Sequence, residues 1–293
     1  MTKKRKTIVT LIIGVFCLLL AAGAFCFLRQ EKQTYQVDSK ADVGKVENRG
    51  TVVPTLYLHG WGASARSTNS MIAYAEKHNG AQKVLTATIL RDGRVRLKGA
   101  WAANVKRPLI QVVMQDNKNG DYYQTREWFY NLIVLLQKKY RIRRYNIVAH
   151  SMGNLTTIFY QMKYGSRKNL PRLQKQVDLG GHFDGIIGMD DQPNRNKILA
   201  DGRPKYLNKS YKYLLKNRKN YPRGVAILNI FGNKEDGTNS DGDVSVVSAR
   251  SLAYLVRGRA RSYREVEIKG ANGQHSKLHE NPRVDRLIGN FLW

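Results

Sequence analysis

Residues 146–154 read Asn-Ile-Val-Ala-His-Ser-Met-Gly-Asn. The first half is apolar and β-branched, and a helical pattern begins directly after Ser151, so this serine stands on a turn between a strand and a helix. In such a turn strand and helix pass close together and the serine backbone is strained. The positions two before and two after it therefore need small side chains. Ala149 and Gly153 supply them, although glycine is the usual residue at the first position, so the motif is loosened there.

Strand-like runs lie on either side of this turn. They are Val52 to Leu58, Lys83 to Leu90, Leu109 to Met114, Tyr145 to Val148, Phe183 to Met189, Val225 to Phe231 and Tyr263 to Ile268. Helical patterns fall between them, clearest at Tyr122 to Tyr140, where Trp128, Leu132, Leu135 and Leu136 share a face, and at Leu155 to Tyr164. Strands alternating with helices predict an α/β domain over residues 51–293, with a mainly parallel central sheet and helices on both faces. Residues 190–224 interrupt the alternation. From Asp191 to Arg223 ten Lys or Arg oppose two Asp, and Leu207, Tyr211, Leu214 and Leu215 recur at helical spacing. A basic amphipathic helix over residues 204–219 is expected. Its lysine stripe suits an anionic surface, unless its Leu face simply packs on the domain.

A serine attacks a carbonyl only with a base beside it and donors for the developing oxyanion. The donors expected are the backbone N–H of Met152, next to the serine, and of Trp61 in His59-Gly-Trp-Gly62, which follows the first strand. Of six histidines, His275 and His279 alone follow the last strand. His275 lies nearer the strand end and is the preferred base. His59 and His150 border the other motifs and read as supporting residues, while His78 and His182 have no chemical context. The loop after Phe231 offers Glu235, Asp236, Asp241 and Asp243 as the orienting acid. Asp241 is chosen because it precedes a Gly turn and an apolar anchor, with Asp190 as fallback. Calcium binding by this loop is the lesser reading, since no Glu falls where an EF-hand needs one. No cofactor or metal is expected.

The 293-residue chain carries 50 Lys or Arg against 22 Asp or Glu, a formal charge of +28, which favours anionic partners. Residues 1–6 are a basic flank, and residues 7–28 form an uncharged stretch of 22 residues, long enough to span a bilayer. Residues 29–50 read as a flexible tether. The length favours a retained anchor over a signal peptide, although Ala22-Gly23-Ala24 resembles a cleavage site and cleavage would release the domain. With the basic flank inside, the domain lies outside the cytoplasm, which argues against nucleic acid as partner. Both cysteines, Cys17 and Cys26, fall in the apolar stretch, so the domain has no disulfide.

His-Gly-Trp-Gly, Ala-His-Ser-Met-Gly, Ser-Asp-Gly-Asp-Val and Gln-His-Ser-Lys-Leu-His, in that order, resemble an α/β-hydrolase. With the N-terminal segment, they resemble more narrowly the cell-surface hydrolases of Gram-positive bacteria. The resemblance implies a Ser151, Asp241, His275 triad and an acyl-ester substrate for an esterase or lipase. The alternative is a hydrolase-fold surface protein that binds anionic membrane, cell-wall polymers or host components without turnover.

Overall fold

The computed structural model describes residues 47–293. The expected anchor at 7–28 and most of the expected tether lie outside the described residues. Among those described, no helix is long and apolar enough to cross a membrane. Eight strands form one sheet: β1 (Thr55–Leu58), β2 (Gln82–Ile89), β3 (Val95–Gly99), β4 (Pro108–Met114), β5 (Arg144–His150), β6 (Arg172–Leu179), β7 (Ala226–Asn233) and β8 (Ser262–Lys269). Their order is β3-β2-β4-β1-β5-β6-β7-β8, all parallel except the edge strand β3. β1 is buried throughout and β5 is buried beyond Arg144, as expected of parallel strands covered on both faces.

The covering helices follow from the pleat. Tyr57, Val148, Val177 and Leu228 point to one face. There they meet Met71 and Ile72 of α1 (Arg66–Asn79) and Val284, Ile288 and Leu292 of α7 (Pro282–Leu292). Leu58 points the other way, toward α3 (Met152–Tyr164), beside which packs α2 (Tyr122–Tyr140). Asp121 caps α2 by accepting from the Tyr123 and Gln124 amides.

Two expectations are corrected. Phe183 to Met189 is not a strand. The strand is β6, eleven residues earlier, whose sequence Arg-Leu-Gln-Lys-Gln-Val-Asp-Leu conceals it. Gln176 and Asp178 are buried there because they satisfy each other: Gln176 Nε2 donates to both Asp178 oxygens at 2.9 Å, and Tyr221 donates to Gln176 at 2.8 Å. The apolar run at 183–189 is a set of turns in which Phe183 is buried. The basic helix is shorter than expected, α4 (Lys209–Asn217), because Asn208 caps it by accepting from the Tyr211 amide at 2.7 Å. Its apolar face is seated on the domain: Tyr211 and Leu214 are fully buried, and Tyr211 donates to Ser251 O. Two short helices, α5 (Val246–Arg250) and α6 (Leu252–Val256), precede β8. With seven strands parallel, the loops after β1, β5, β6, β7 and β8 all open at the carboxyl end of the sheet.

Candidate active site

Ser151 joins β5 to α3 with φ 51° and ψ −121°, a left-handed backbone strained for a residue with a Cβ. The close approach that the sequence implies has specific neighbours. A Cβ on Gly153 would lie 2.8 Å from His59 O, and one on Gly60 would lie 2.9 Å from the Ser151 Cβ. The glycines at 60 and 153 thus let the loop after β1 close against the serine turn.

Asp241 and His275 come from the loops after β7 and β8. The His275 amide donates to Asp241 O at 2.9 Å, so the two loops are tied through backbone before their side chains meet. Asp241 Oδ1 accepts from the amides of Asp243 (3.0 Å) and Val244 (2.7 Å), which aims Oδ2 at His275 Nδ1, 2.7 Å away. His275 Nε2 lies 2.9 Å from Ser151 Oγ. Asp241 and His275 are buried. A carboxylate on Nδ1 fixes the proton there and leaves Nε2 free to accept from the serine hydroxyl.

The electrostatics separate His275 from the other histidines nearby. Burial opposes its charged form, but the hydrogen bond and charge of Asp241, with Asp243 adding to them, outweigh burial and raise its pKa above the ordinary value. His150 rings both His275 and His279 at 4.7 Å and is held well below the usual range, first by burial and then by His275 and His279. Burial likewise lowers His59 and His279, and with the charge of His275 it takes His182 down to about 3. Of these five, His275 alone is built to carry a proton.

His59 has a structural task visible in its bonds. Its Nδ1 faces Gly60 O at 2.8 Å and its Nε2 accepts from the Met114 amide at 3.0 Å, which pins the loop after β1 to β4. Trp61 in that loop is 55% exposed, and among the described residues no hydrogen bond engages its amide. Met152 N–H is the first of the unpaired donors at the start of α3. Three of the four rival acids are committed elsewhere: Glu235 pairs with Lys269, Asp236 with Lys234 and Thr238, and Asp190 with Asn208 and the Ile186 amide, while Asp243 acts on His275 only through its charge. Among the described residues no three His, Cys, Asp or Glu converge as a metal site.

His182, which sequence reasoning left without context, lies beside the site after β6 and shares a 2.9 Å hydrogen bond with Tyr122 Oη. Burial and then the charge of Asp190 push the Tyr122 hydroxyl up to about 12, so it stays protonated. The signal for this pair is the position of His182 three residues after the end of β6, a strand whose polar sequence conceals it.

Residues 45–293 match the family described as alpha/beta hydrolase of unknown function, DUF915. The chain belongs to this family. No curated protein matches the sequence. Among solved structures, it is similar to the product of gene lin2722 from Listeria innocua, with a TM-score of 0.76 and 24% identity over 82% of this chain and 94% of that one. It is also similar to a Lactobacillus plantarum protein described as a cell surface hydrolase, with a TM-score of 0.68 and 21% identity over 82% and 91% of the two chains. At these identities the likeness establishes the hydrolase fold that the family shares.

Proposed function

We propose that the protein is a serine hydrolase of carboxylic esters, held by an N-terminal membrane anchor with its domain outside the cytoplasm. The observation that carries this reading is the continuous hydrogen-bonded line from Ser151 Oγ through His275 to Asp241 Oδ2, with steps of 2.9 and 2.7 Å. Ser151 Oγ attacks the ester carbonyl carbon while His275 Nε2 takes the hydroxyl proton, and Asp241 steadies the imidazolium through Nδ1–H. The carbonyl oxygen, now an oxyanion, accepts from the Trp61 and Met152 amides, each such donor contributing about 3 kcal/mol in comparable sites. The alkoxide leaves with the proton from Nε2, giving an acyl-enzyme. A water then gives a proton to His275, attacks the acyl carbon and releases the acid, and Ser151 Oγ regains its proton.

The exposed Trp61 ring, on the residue after the glycine that abuts Ser151, offers an apolar surface to an acyl chain. A panel of nitrophenyl esters of graded chain length, assayed with wild type and Ser151→Ala, tests the proposal. Turnover by wild type that disappears in the variant supports it, and equal turnover by both refutes it.

A further inference from the structure

The charge of the domain is sorted by the direction of the strands. Into β4 the chain runs through Lys106-Arg107, into β5 through Arg141-Ile-Arg-Arg144, and into β6 through residues 165–172 (GSRKNLPR). It enters β7 through residues 217–225 (NRKNYPRGV) and β8 through residues 257–262 (RGRARS). These five connections hold fourteen Lys or Arg and not one Asp or Glu. Since the five strands are parallel, all five connections lie at the amino end of the sheet. Among the described residues none of the fourteen forms an ion pair.

Several are instead fixed side by side by backbone carbonyls. Arg218 donates to Arg257 O at 3.0 Å, Arg223 to Gly258 O at 3.2 Å and Arg259 to Tyr221 O. Crowding of like charge costs energy, and an anionic partner would relieve it. Three loops of the opposite end have the reverse balance, those at 115–121, 233–245 and 270–281 holding seven Asp or Glu against three Lys, while residues 180–208 after β6 hold four of each sign and the turn at 90–94 holds two Arg and one Asp.

We propose that the amino end of the sheet is a docking surface for anionic phospholipid headgroups, which turns the Ser151 site away from the bilayer. The choice of lipid over a soluble polyanion rests on the anchored reading above and on where the chain enters the domain. Residues 47 and 49 bond to the carbonyls of Lys139 and Tyr140, immediately before Arg141, so the 46 preceding residues join the domain at this basic end. Each basic residue near such a surface is worth about fivefold in binding at low salt, and the effect is screened over about 8 Å at physiological salt. The esters reached by the site would then be those presented from the side away from the membrane.

The test reconstitutes the full chain in vesicles of phosphatidylglycerol or of phosphatidylcholine and maps arginine labelling by phenylglyoxal. Arg143, Arg172 and Arg261, all exposed and without side-chain hydrogen bonds among the described residues, should react at least fivefold more slowly in the anionic vesicles. Arg91 and Arg195, exposed and outside the five basic connections, should be unchanged. The protection should vanish near 1 M salt, where screening shortens to about 3 Å. It should also weaken in the triple variant Arg144→Gln, Lys168→Gln, Lys219→Gln, whose turnover of a small soluble ester should match wild type. Equal labelling in both vesicles, or protection of Arg91 and Arg195 instead, would overturn the proposal. Protection by a soluble phosphodiester polymer but not by anionic vesicles would assign the surface to a polymer and refute the lipid. Failure of the hydrolase reading would show separately, as wild type without ester turnover, and failure of the anchor as a chain that washes off both vesicles at alkaline pH.

Discussion

Ser151→Ala should leave less than about 1% of wild-type kcat, since only binding and the oxyanion donors remain, and the fold should persist because, among the described residues, the hydroxyl has His275 as its one side-chain partner. Asp241→Asn should lower kcat by about 10²- to 10⁴-fold, because the carboxylate fixes the tautomer of His275 without itself reacting. The two carboxylates near His275 also set the pH profile. Only the neutral imidazole accepts the serine proton, so kcat/KM should fall as pH drops through the His275 pKa, which lies above the free value of about 6.5. In Asp241→Asn the main force raising that pKa is gone, and the falling limb should move to lower pH. A limb at or below the free value in wild type, or one unmoved by the substitution, would contradict this electrostatic assignment. His279→Ala should keep substantial activity: His279 touches His150, not the serine.

At the scale of elements, α4 and β6 each carry a prediction and a lesson about legibility. Leu214→Ala should cost about 2–5 kcal/mol in a denaturant titration, because Leu214 is fully buried where α4 sits on the domain. Replacing the exposed Lys212 and Lys216 by Gln should change stability by no more than about 0.5 kcal/mol each. The amphipathic spacing of α4 was readable, but its partner was not, since a Leu face looks the same whether it meets a domain or a membrane. β6 was unreadable for the opposite reason: its inward Gln176 and Asp178 look like surface residues until Tyr221, 43 or more residues away, is brought beside them. Burial raises the Asp178 carboxyl to about 7, so the folded state prefers it protonated, and the stability this gives is lost as pH rises from the unfolded value toward 7. Between pH 5 and pH 8 the Tm of wild type should therefore fall by more than that of Asp178→Asn, as thermal melts at the two values would reveal. α1 has a weak sequence signal too, because Arg66–Asn79 has only Met71, Ile72 and Ala75 as its buried apolar residues in 14 positions.

For the molecule as a whole, one mainly parallel sheet does two things at once. It gathers the ends of β5, β7 and β8 so that Ser151, Asp241 and His275, separated by 90 and 34 residues, stand within hydrogen-bond reach, and it sends the basic connections to the far end. The motif order Ser, Asp, His was legible because each motif sits beside a strand end, and parallel topology turns that local fact into proximity. The direction in which the site faces was not legible, since it depends on which loops share an end of the sheet. On the proposed function, this geometry activates one serine. A fluorophosphonate probe incubated with the full chain and mapped by peptide mass spectrometry measures this directly. A single adduct is expected, on Ser151, formed at a rate that falls in Asp241→Asn and absent in Ser151→Ala. A folded protein that takes no adduct, or one that is labelled equally well after Ser151→Ala, would contradict it.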